Sequence, residues 1–119
     1  LAEIDSKDLT NKPTFKIMDA ENLDFEDDYF DIIYAAGCFH HLDLDKTYSE
    51  LHRVLKPNGR IMCNEALAHN PIFHYYRKKT PHLRTPWEVP HILKVEDVYK
   101  ANKYFEKVDV KYHYLISFL

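Results

Sequence analysis

Acidic and small residues follow the ends of three predicted strands. Asp19 comes directly after the run Thr14–Met18, and Gly37 comes directly after the apolar run Phe30–Ala36. Glu65 follows the third apolar segment and either contacts substrate or has a structural role. Ligands of open α/β sheets bind beyond the carboxyl ends of the strands. We therefore expect these residues to border one crevice.

Two adjacent histidines, His40 and His41, stand two residues after Cys38. Zinc sites commonly use paired ligands at short spacing, and no second Cys/His pair is placed to complete such a site, so no metal is predicted. A neutral imidazole titrates near pH 7, which makes His41 a candidate general base. In the alternative interpretation, one histidine packs below the sheet and the other faces the crevice.

An acidic turn joins the first two predicted strands. Asp19 can instead bond to local backbone amides, as aspartate commonly does. The remaining carboxylates of this turn are interpreted as a solvated loop: Glu21, Asp24, Glu26, Asp27 and Asp28.

The order of predicted elements indicates an α/β fold, in which parallel strands alternate with helices. The predicted strands are 14–18, 30–36, 60–67 and a final strand after Glu106, and the predicted helices are 1–9, 46–55 and 95–105. Asp45 is placed to cap the second helix, and residues 56–59 (KPNG) predict a helix stop and a turn. Near-continuous apolar runs suit strands that are buried on both faces.

Bulk composition narrows the function classes. The chain has 119 residues, a net charge of −3 and a pI near 6.2, which argues against nucleic acid as a partner because phosphate binding needs a basic surface. No apolar run is long enough to span a bilayer, and a cytoplasmic location is predicted. Cys38 and Cys63 are predicted to be buried free thiols.

The blocks DAENLDFEDDYFDIIYAAGCFHHL and YSELHRVLKPNGRI resemble the class I S-adenosylmethionine-dependent methyltransferases, in order and spacing over Phe15–Ala66. The resemblance implies that S-adenosyl-L-methionine is the cofactor. It also implies that Asp19 accepts a hydrogen bond from the adenine amino group and that the Ala20 amide faces the ring. Ala35, Ala36 and Gly37 would line the methionine part, where small side chains let the cofactor approach the backbone.

The same resemblance implies a partial, doubly wound Rossmann-like sheet in a three-layer α/β/α arrangement. The family's glycine-rich loop and its ribose-binding acidic residue have no counterpart here, and the chain has only two glycines. We therefore expect residues 1–119 to form one partial methyltransferase domain that lacks the first two strands and the last strand. Such a domain would bind cofactor weakly, and its exposed strand edges would favour homo-oligomers.

Residues 68–94 are interpreted as a lid or insertion that covers the substrate, and they resemble the insertion of a bacterial methyltransferase subgroup. Its predicted lining residues are Tyr75, Tyr76, Arg77, Arg84 and Trp87. A segment that merely packs on the sheet is the competing interpretation. Binding to a nucleic acid strand or an anionic membrane is disfavoured, because the rest of the chain is acidic and the segment has no apolar helical face.

Two functions are consistent with these features. The first is methyl transfer from S-adenosylmethionine to a small-molecule or lipid-like acceptor by the intact protein. The second is a non-catalytic truncated module that associates through open sheet edges.

Overall fold

The computed structural model describes residues 13–68, 71–80, 82 and 92–112. In chain order the elements are β1 (Phe30–Ala36), a 3-10 turn (Phe39–His41), α1 (Leu44–Val54), β2 (Leu55–Asn64), α2 (Pro71–Lys79), α3 (Val95–Tyr99) and a second 3-10 turn (Lys100–Lys103). The strands β1 and β2 pair in parallel and are connected through α1. This is the strand–helix–strand unit that the sequence predicts. The predicted helix at 1–9 lies outside the described residues.

Helix α1 supplies half of the buried apolar residues in the described part of the chain. Its buried residues Tyr48, Leu51 and Val54 recur at helical spacing, as the sequence predicts. The predicted cap at Asp45 is wrong, because Asp43 is the N-cap and accepts a hydrogen bond from the Lys46 amide at 3.3 Å. The helix therefore begins two residues earlier than predicted, at Leu44, and the Asp45 carboxylate instead accepts hydrogen bonds from Lys103 and Tyr104.

Only one face of the sheet is covered by described residues. Ile33 and Ala35 of β1 pack against the core, whereas Ile32 and Tyr34 are 60% and 64% exposed. Alternate residues of a strand point to opposite faces, so α1 covers one face and leaves the other open. The expectation of strands buried on both faces is wrong for this part of the chain.

The KPNG segment interrupts the strand pairing. Phe30 pairs with Leu55 and Ile32 pairs with Arg60, so β2 advances by five residues while β1 advances by two. The extra residues form a loop that contains Asn58 at φ 68°. The predicted helix stop is confirmed at Val54, but the predicted turn is instead an irregularity within β2, which begins at Leu55 and not at Arg60.

Two predicted strands do not form. Thr14–Met18 has no regular structure, and Ile17 is fully exposed. In the described residues this segment pairs with neither β1 nor β2, and an unpaired extended segment gains little stability in water. Residues 107–112 likewise form no strand, and the rest of the predicted final strand lies outside the described residues.

Helix α2 was not predicted, since residues 68–94 show no clean helical period. The predicted helix over 95–105 is confirmed in type but not in extent. It is α-helical only over Val95–Tyr99 and then tightens to a 3-10 turn, in which Ala101 is buried.

Arg53 fixes the acidic turn to α1. Its guanidinium donates to the Glu50 carboxylate, to the carbonyls of Leu23 and Phe25, and to Asp27. The hydrogen bonds from Arg53 hold the pKa of the Glu50 carboxyl below its ordinary value. The acidic turn is therefore an anchored loop, and Asp27 belongs to its anchor although its own side chain is largely exposed.

Replacing Val54 with alanine will lower the free energy of unfolding by about 2 kcal/mol, because two buried methyl groups are lost and a cavity is left. Val54 is fully buried. Urea unfolding measures the change. Ser49→Ala, at an exposed position on the same helix, is the control and will change stability by less than about 0.5 kcal/mol. Equal losses in the two variants would contradict this description of the core.

Candidate active site

A hollow of about 440 Å³ runs along β1 from Phe30 to Ala36, and we call it the β1 hollow. Its wall includes Ala20 from the acidic turn, Ala35 and Ala36 from the end of β1, and Phe39 and Leu42 from the segment that follows. The two alanines leave space at the carboxyl end of a parallel strand, which is where ligands of open α/β sheets bind. Ala20 and Ala36, which are 16 positions apart in the sequence, thus line the same hollow.

Asp19 lies at the rim and does not line this hollow. It is exposed, and its Oδ1 accepts a hydrogen bond from the Glu21 amide at 2.9 Å. Its carbonyl also accepts from the Asn22 amide. This is the local capping role that competed with adenine recognition. The adjacent residue Ala20 lines the hollow, so the turn capped by Asp19 positions part of the wall.

Gly37 allows the chain to turn at the end of β1. Its φ is +62°, in the left-handed region, and no atom lies within 4 Å of the position that a Cβ would occupy. The Gly37 amide donates to the Asn64 carbonyl and closes the sheet pairing. The glycine is therefore needed for its backbone conformation and not for lack of space.

Gly37→Ala will lower the free energy of unfolding by about 1 kcal/mol, the cost of a left-handed backbone for a residue with a Cβ. Gly37→Asn will cost less, because asparagine tolerates this conformation. Urea unfolding of both variants tests the argument. A larger loss for asparagine than for alanine would show that side-chain size, not backbone conformation, decides the residue here.

The Glu65 carboxylate holds the turn that follows β1. Its Oε1 accepts hydrogen bonds from the Cys38 amide at 2.8 Å and the Phe39 amide at 3.1 Å. The side chain is only 5% exposed. One buried carboxylate at the end of β2 thus fixes the backbone at the end of β1, as the expectation of a shared crevice requires.

A second hollow of about 240 Å³ adjoins the first, and we call it the α1 hollow. Apolar residues Leu44, Ile92 and Leu93 line it, and its charged or polar residues are His40, Lys100, Asp43, Asp45 and Asp97. Phe39 and Leu42 line both hollows, so a ligand in one lies next to a ligand in the other. The His40 and His41 rings have their centroids 3.9 Å apart and their planes tilted by 42°, and His41 is exposed.

Burial controls the electrostatics near these hollows. Desolvation raises the pKa of the Cys38 thiol, and the nearby Glu65 charge raises it further. Desolvation also raises the pKa of Tyr48 to about 12, and its hydroxyl donates to the Asp97 carbonyl. Both groups are therefore neutral at pH 7.

The predicted lid residues do not meet these hollows in the described part of the chain. Tyr75 and Tyr76 lie on α2, are at least half exposed and line neither hollow. Arg77 lies on α2, but its side chain is outside the description, as are Arg84 and Trp87. Their substrate contacts stay a prediction.

Other sequence-based expectations have separate outcomes. Both cysteines are free, as predicted. The prediction that both are buried is wrong for Cys63, which is exposed, and Cys38 is half-buried. The described residues include no group of three or more possible ligands placed to hold a metal. They also include no helix that is long and apolar enough to cross a membrane.

Several lining residues had no sequence signal. Ile92, Leu93 and Lys100 reach the α1 hollow from a part of the chain that is about 50 residues beyond His40. Phe39 lines both hollows. The only feature of the sequence that pointed to it is its position directly before His40 and His41.

Comparison with known proteins identifies the relatives of this chain. A family profile described as methyltransferase domain matches residues 2–63. The human 2-methoxy-6-polyprenyl-1,4-benzoquinol methylase, mitochondrial, is 46% identical over 56 residues, which are 45% of this chain and 17% of that protein. The ubiquinone/menaquinone biosynthesis C-methyltransferase UbiE of Vibrio vulnificus is 49% identical over 47 residues, 39% of this chain and 18% of that protein.

In both cases the match spans less than a fifth of the relative's length. No solved structure matches the chain. The profile covers more than half of the chain, and methyltransferases of this family use S-adenosylmethionine. A parallel strand pair with small residues at its carboxyl end agrees with the Rossmann-like sheet of such enzymes. The chain belongs to the methyltransferase domain family.

Proposed function

We propose that the protein transfers a methyl group from S-adenosylmethionine to a quinol-like ring, a small and lipid-like acceptor. The observation that carries this proposal is a pair of hollows that adjoin at Phe39 and Leu42, just past the carboxyl end of β1, in a member of the methyltransferase family. One hollow accommodates the methyl donor, and the other accommodates the acceptor ring.

The small residues of the β1 hollow leave room for the donor, and the rest of the lining is mostly apolar. A volume of about 440 Å³ lies within the usual range for ligand sites, about 300–1,000 Å³. Ala35 and Ala36 offer an apolar wall without bulk, and Ala20 faces them from the acidic turn. Asp19 stands at the rim, where a carboxylate suits an adenine amino group. When bound, S-adenosylmethionine supplies an electrophilic methyl group.

The chain itself positions the reactants and excludes water. Phe39 is 5% exposed and borders both hollows, so it limits access of solvent at the point where the two ligands meet. Holding two reactants side by side removes much of the entropic cost of their encounter.

The α1 hollow suits a ring with hydroxyl groups. Leu42, Leu44 and Leu93 give it apolar walls, and His40 and the carboxylates of Asp43, Asp45 and Asp97 give it groups that accept a hydrogen bond from a hydroxyl, whereas Lys100 is paired with Asp97 at 2.8 Å. Its volume of about 240 Å³ is below the usual range for a complete drug-sized ligand, so it fits a head group whose tail extends outside. The quinol names of the relatives agree with this class of acceptor.

Calorimetry with S-adenosylhomocysteine, using the full-length protein that contains this chain, tests donor binding first. Incubation with methyl-labelled S-adenosylmethionine and a short-tailed methoxybenzoquinol then tests transfer. We expect binding, and label in the quinol product. Absence of binding would refute the methyltransferase proposal, whereas binding without transfer to any hydroxylated ring would refute only the acceptor class.

Exposed apolar residues on the uncovered sheet face favour a second candidate, a non-catalytic module that associates with another copy. Ile32, Tyr34 and Met62 are more than half exposed there, and the described residues add no further strand to either edge of the sheet. In the three-layer arrangement that we propose for the complete domain, helices cover this face. Sizing of the purified protein separates the candidates: a monomer that binds the donor rejects the module.

A further inference from the structure

One oxygen of the Glu65 carboxylate takes no part in the hydrogen bonds that hold the turn after β1. Oε1 accepts both backbone hydrogen bonds, from Cys38 and Phe39. Oε2 is buried and has no hydrogen-bond partner among the described residues. It lies 3.5 Å from His40 Nδ1. A buried carboxylate oxygen without a partner is costly, so a donor is expected at this point.

His40 satisfies this oxygen only if Nδ1 carries a proton. An ionised carboxylate accepts hydrogen bonds and cannot donate them, whereas a neutral imidazole has one donor nitrogen and one acceptor nitrogen. A separation of 3.5 Å is long, but such contacts commonly tighten when substrate binds. The Glu65 charge therefore favours the His40 tautomer with the proton on Nδ1, and this leaves Nε2 as an acceptor.

We propose that Glu65 is a positioning residue that holds His40 in this tautomer, so that Nε2 removes the proton from a phenolic hydroxyl bound in the α1 hollow. The inference rests on the proposed function for its substrate. His40 lines the α1 hollow and its side chain is 20% exposed, so it is reachable from that hollow while Glu65 stays buried behind it.

The proton transfer balances within these groups. The O–H bond of the acceptor breaks, its proton forms an N–H bond at Nε2, and the electron pair stays on the acceptor oxygen. The Glu65 carboxylate stabilises the imidazolium that results. The phenolate oxygen, and the ring carbons that share its charge, are then better nucleophiles than the neutral phenol.

This assignment places the base at His40 and not at His41, the candidate suggested by the sequence. His41 lies next to it in the chain and its tilted ring contacts the His40 ring, but His41 is exposed and lines neither hollow. The described structure pairs only His40 with a buried carboxylate.

Glu65→Gln tests the proposal because it replaces the hydrogen-bond acceptor that faces His40 with a donor. The glutamine carbonyl must take the Oε1 position, since only an oxygen can accept from the two amides. Its NH₂ group then faces His40 Nδ1, which becomes the acceptor, and the proton moves to Nε2. Nitrogen-15 NMR of the neutral histidines will show His40 protonated on Nδ1 in the wild type and on Nε2 in the variant. His40→Asn assigns the signals by their loss.

Activity is the second readout. Glu65→Gln will lower kcat/KM for the short-tailed methoxybenzoquinol about a hundredfold, the usual contribution of a general base. Its affinity for S-adenosylhomocysteine will be unchanged, because Glu65 does not line the β1 hollow. Glu106→Gln, at an exposed glutamate, is the matched control and will leave both the tautomer and the rate as in the wild type.

The outcomes separate the claims. The same His40 tautomer in the wild type and in Glu65→Gln would overturn the positioning role. A changed tautomer with an undiminished rate would overturn the base role. A wild-type protein that does not bind S-adenosylhomocysteine would refute the proposed function and the base role with it, whereas the tautomer result would still decide whether Glu65 positions His40.

Discussion

Ala36→Phe will weaken binding of S-adenosylhomocysteine at least about a hundredfold, a loss of roughly 2.8 kcal/mol. Ala36 is exposed and lines the β1 hollow. A phenylalanine ring at this position occupies the space where the ligand would lie against the strand end. Because the alanine is not part of the buried core, the variant is expected to fold normally. Calorimetry of the full-length protein measures the dissociation constant.

Ala66→Phe is the matched control for this substitution. Ala66 is also exposed and also follows a strand end, but in the described structure it lines neither hollow. The control will bind the ligand as the wild type does. Urea unfolding of both variants shows whether either has lost stability. If Ala36→Phe unfolds as the wild type does and binds with unchanged affinity, the donor does not occupy the β1 hollow.

The second large effect concerns stability at the same strand ends. Glu65→Ala will lower the free energy of unfolding by about 3 kcal/mol, because two charge-assisted hydrogen bonds are lost and two backbone amides are left without their acceptor. These are the amides of Cys38 and Phe39. The turn between β1 and α1 then loses its attachment to the end of β2. Urea unfolding followed by circular dichroism measures the loss.

Glu65→Gln distinguishes this structural role from the electrostatic one. Its carbonyl keeps both backbone hydrogen bonds, so we expect a loss of less than about 1 kcal/mol. Glu106→Ala provides a surface control and will stay within about 0.5 kcal/mol of the wild type. If Glu65→Ala were as stable as Glu65→Gln, the carboxylate would not hold the turn.

The two substitutions at Glu65 also relate stability to function. The alanine variant will lose the turn and therefore the walls that Phe39 contributes to both hollows. The glutamine variant will keep the walls and change only the polarity toward His40. A difference in rate between the glutamine variant and the wild type is therefore chemical in origin and not a consequence of unfolding.

The sequence by itself determined the elements that depend on local pattern. The period of Tyr48, Leu51 and Val54 predicted α1, because residues at helical spacing share one face. The apolar run Phe30–Ala36 predicted β1, and the methyltransferase resemblance followed from consecutive blocks of residues that lie in this unit. Position at a strand end was enough to direct attention to Ala36 and Glu65.

Tertiary contacts decided what these residues do. No local pattern shows that Glu65 reaches back 26 residues to the Phe39 amide, or that residues near Leu93 close the α1 hollow. The segment Thr14–Met18 has strand-forming residues but no strand among the described residues, because pairing is a property of two segments and not of one. Propensity and periodicity act over a few neighbouring residues, whereas hydrogen-bond partners and the walls of a hollow depend on which distant segments meet.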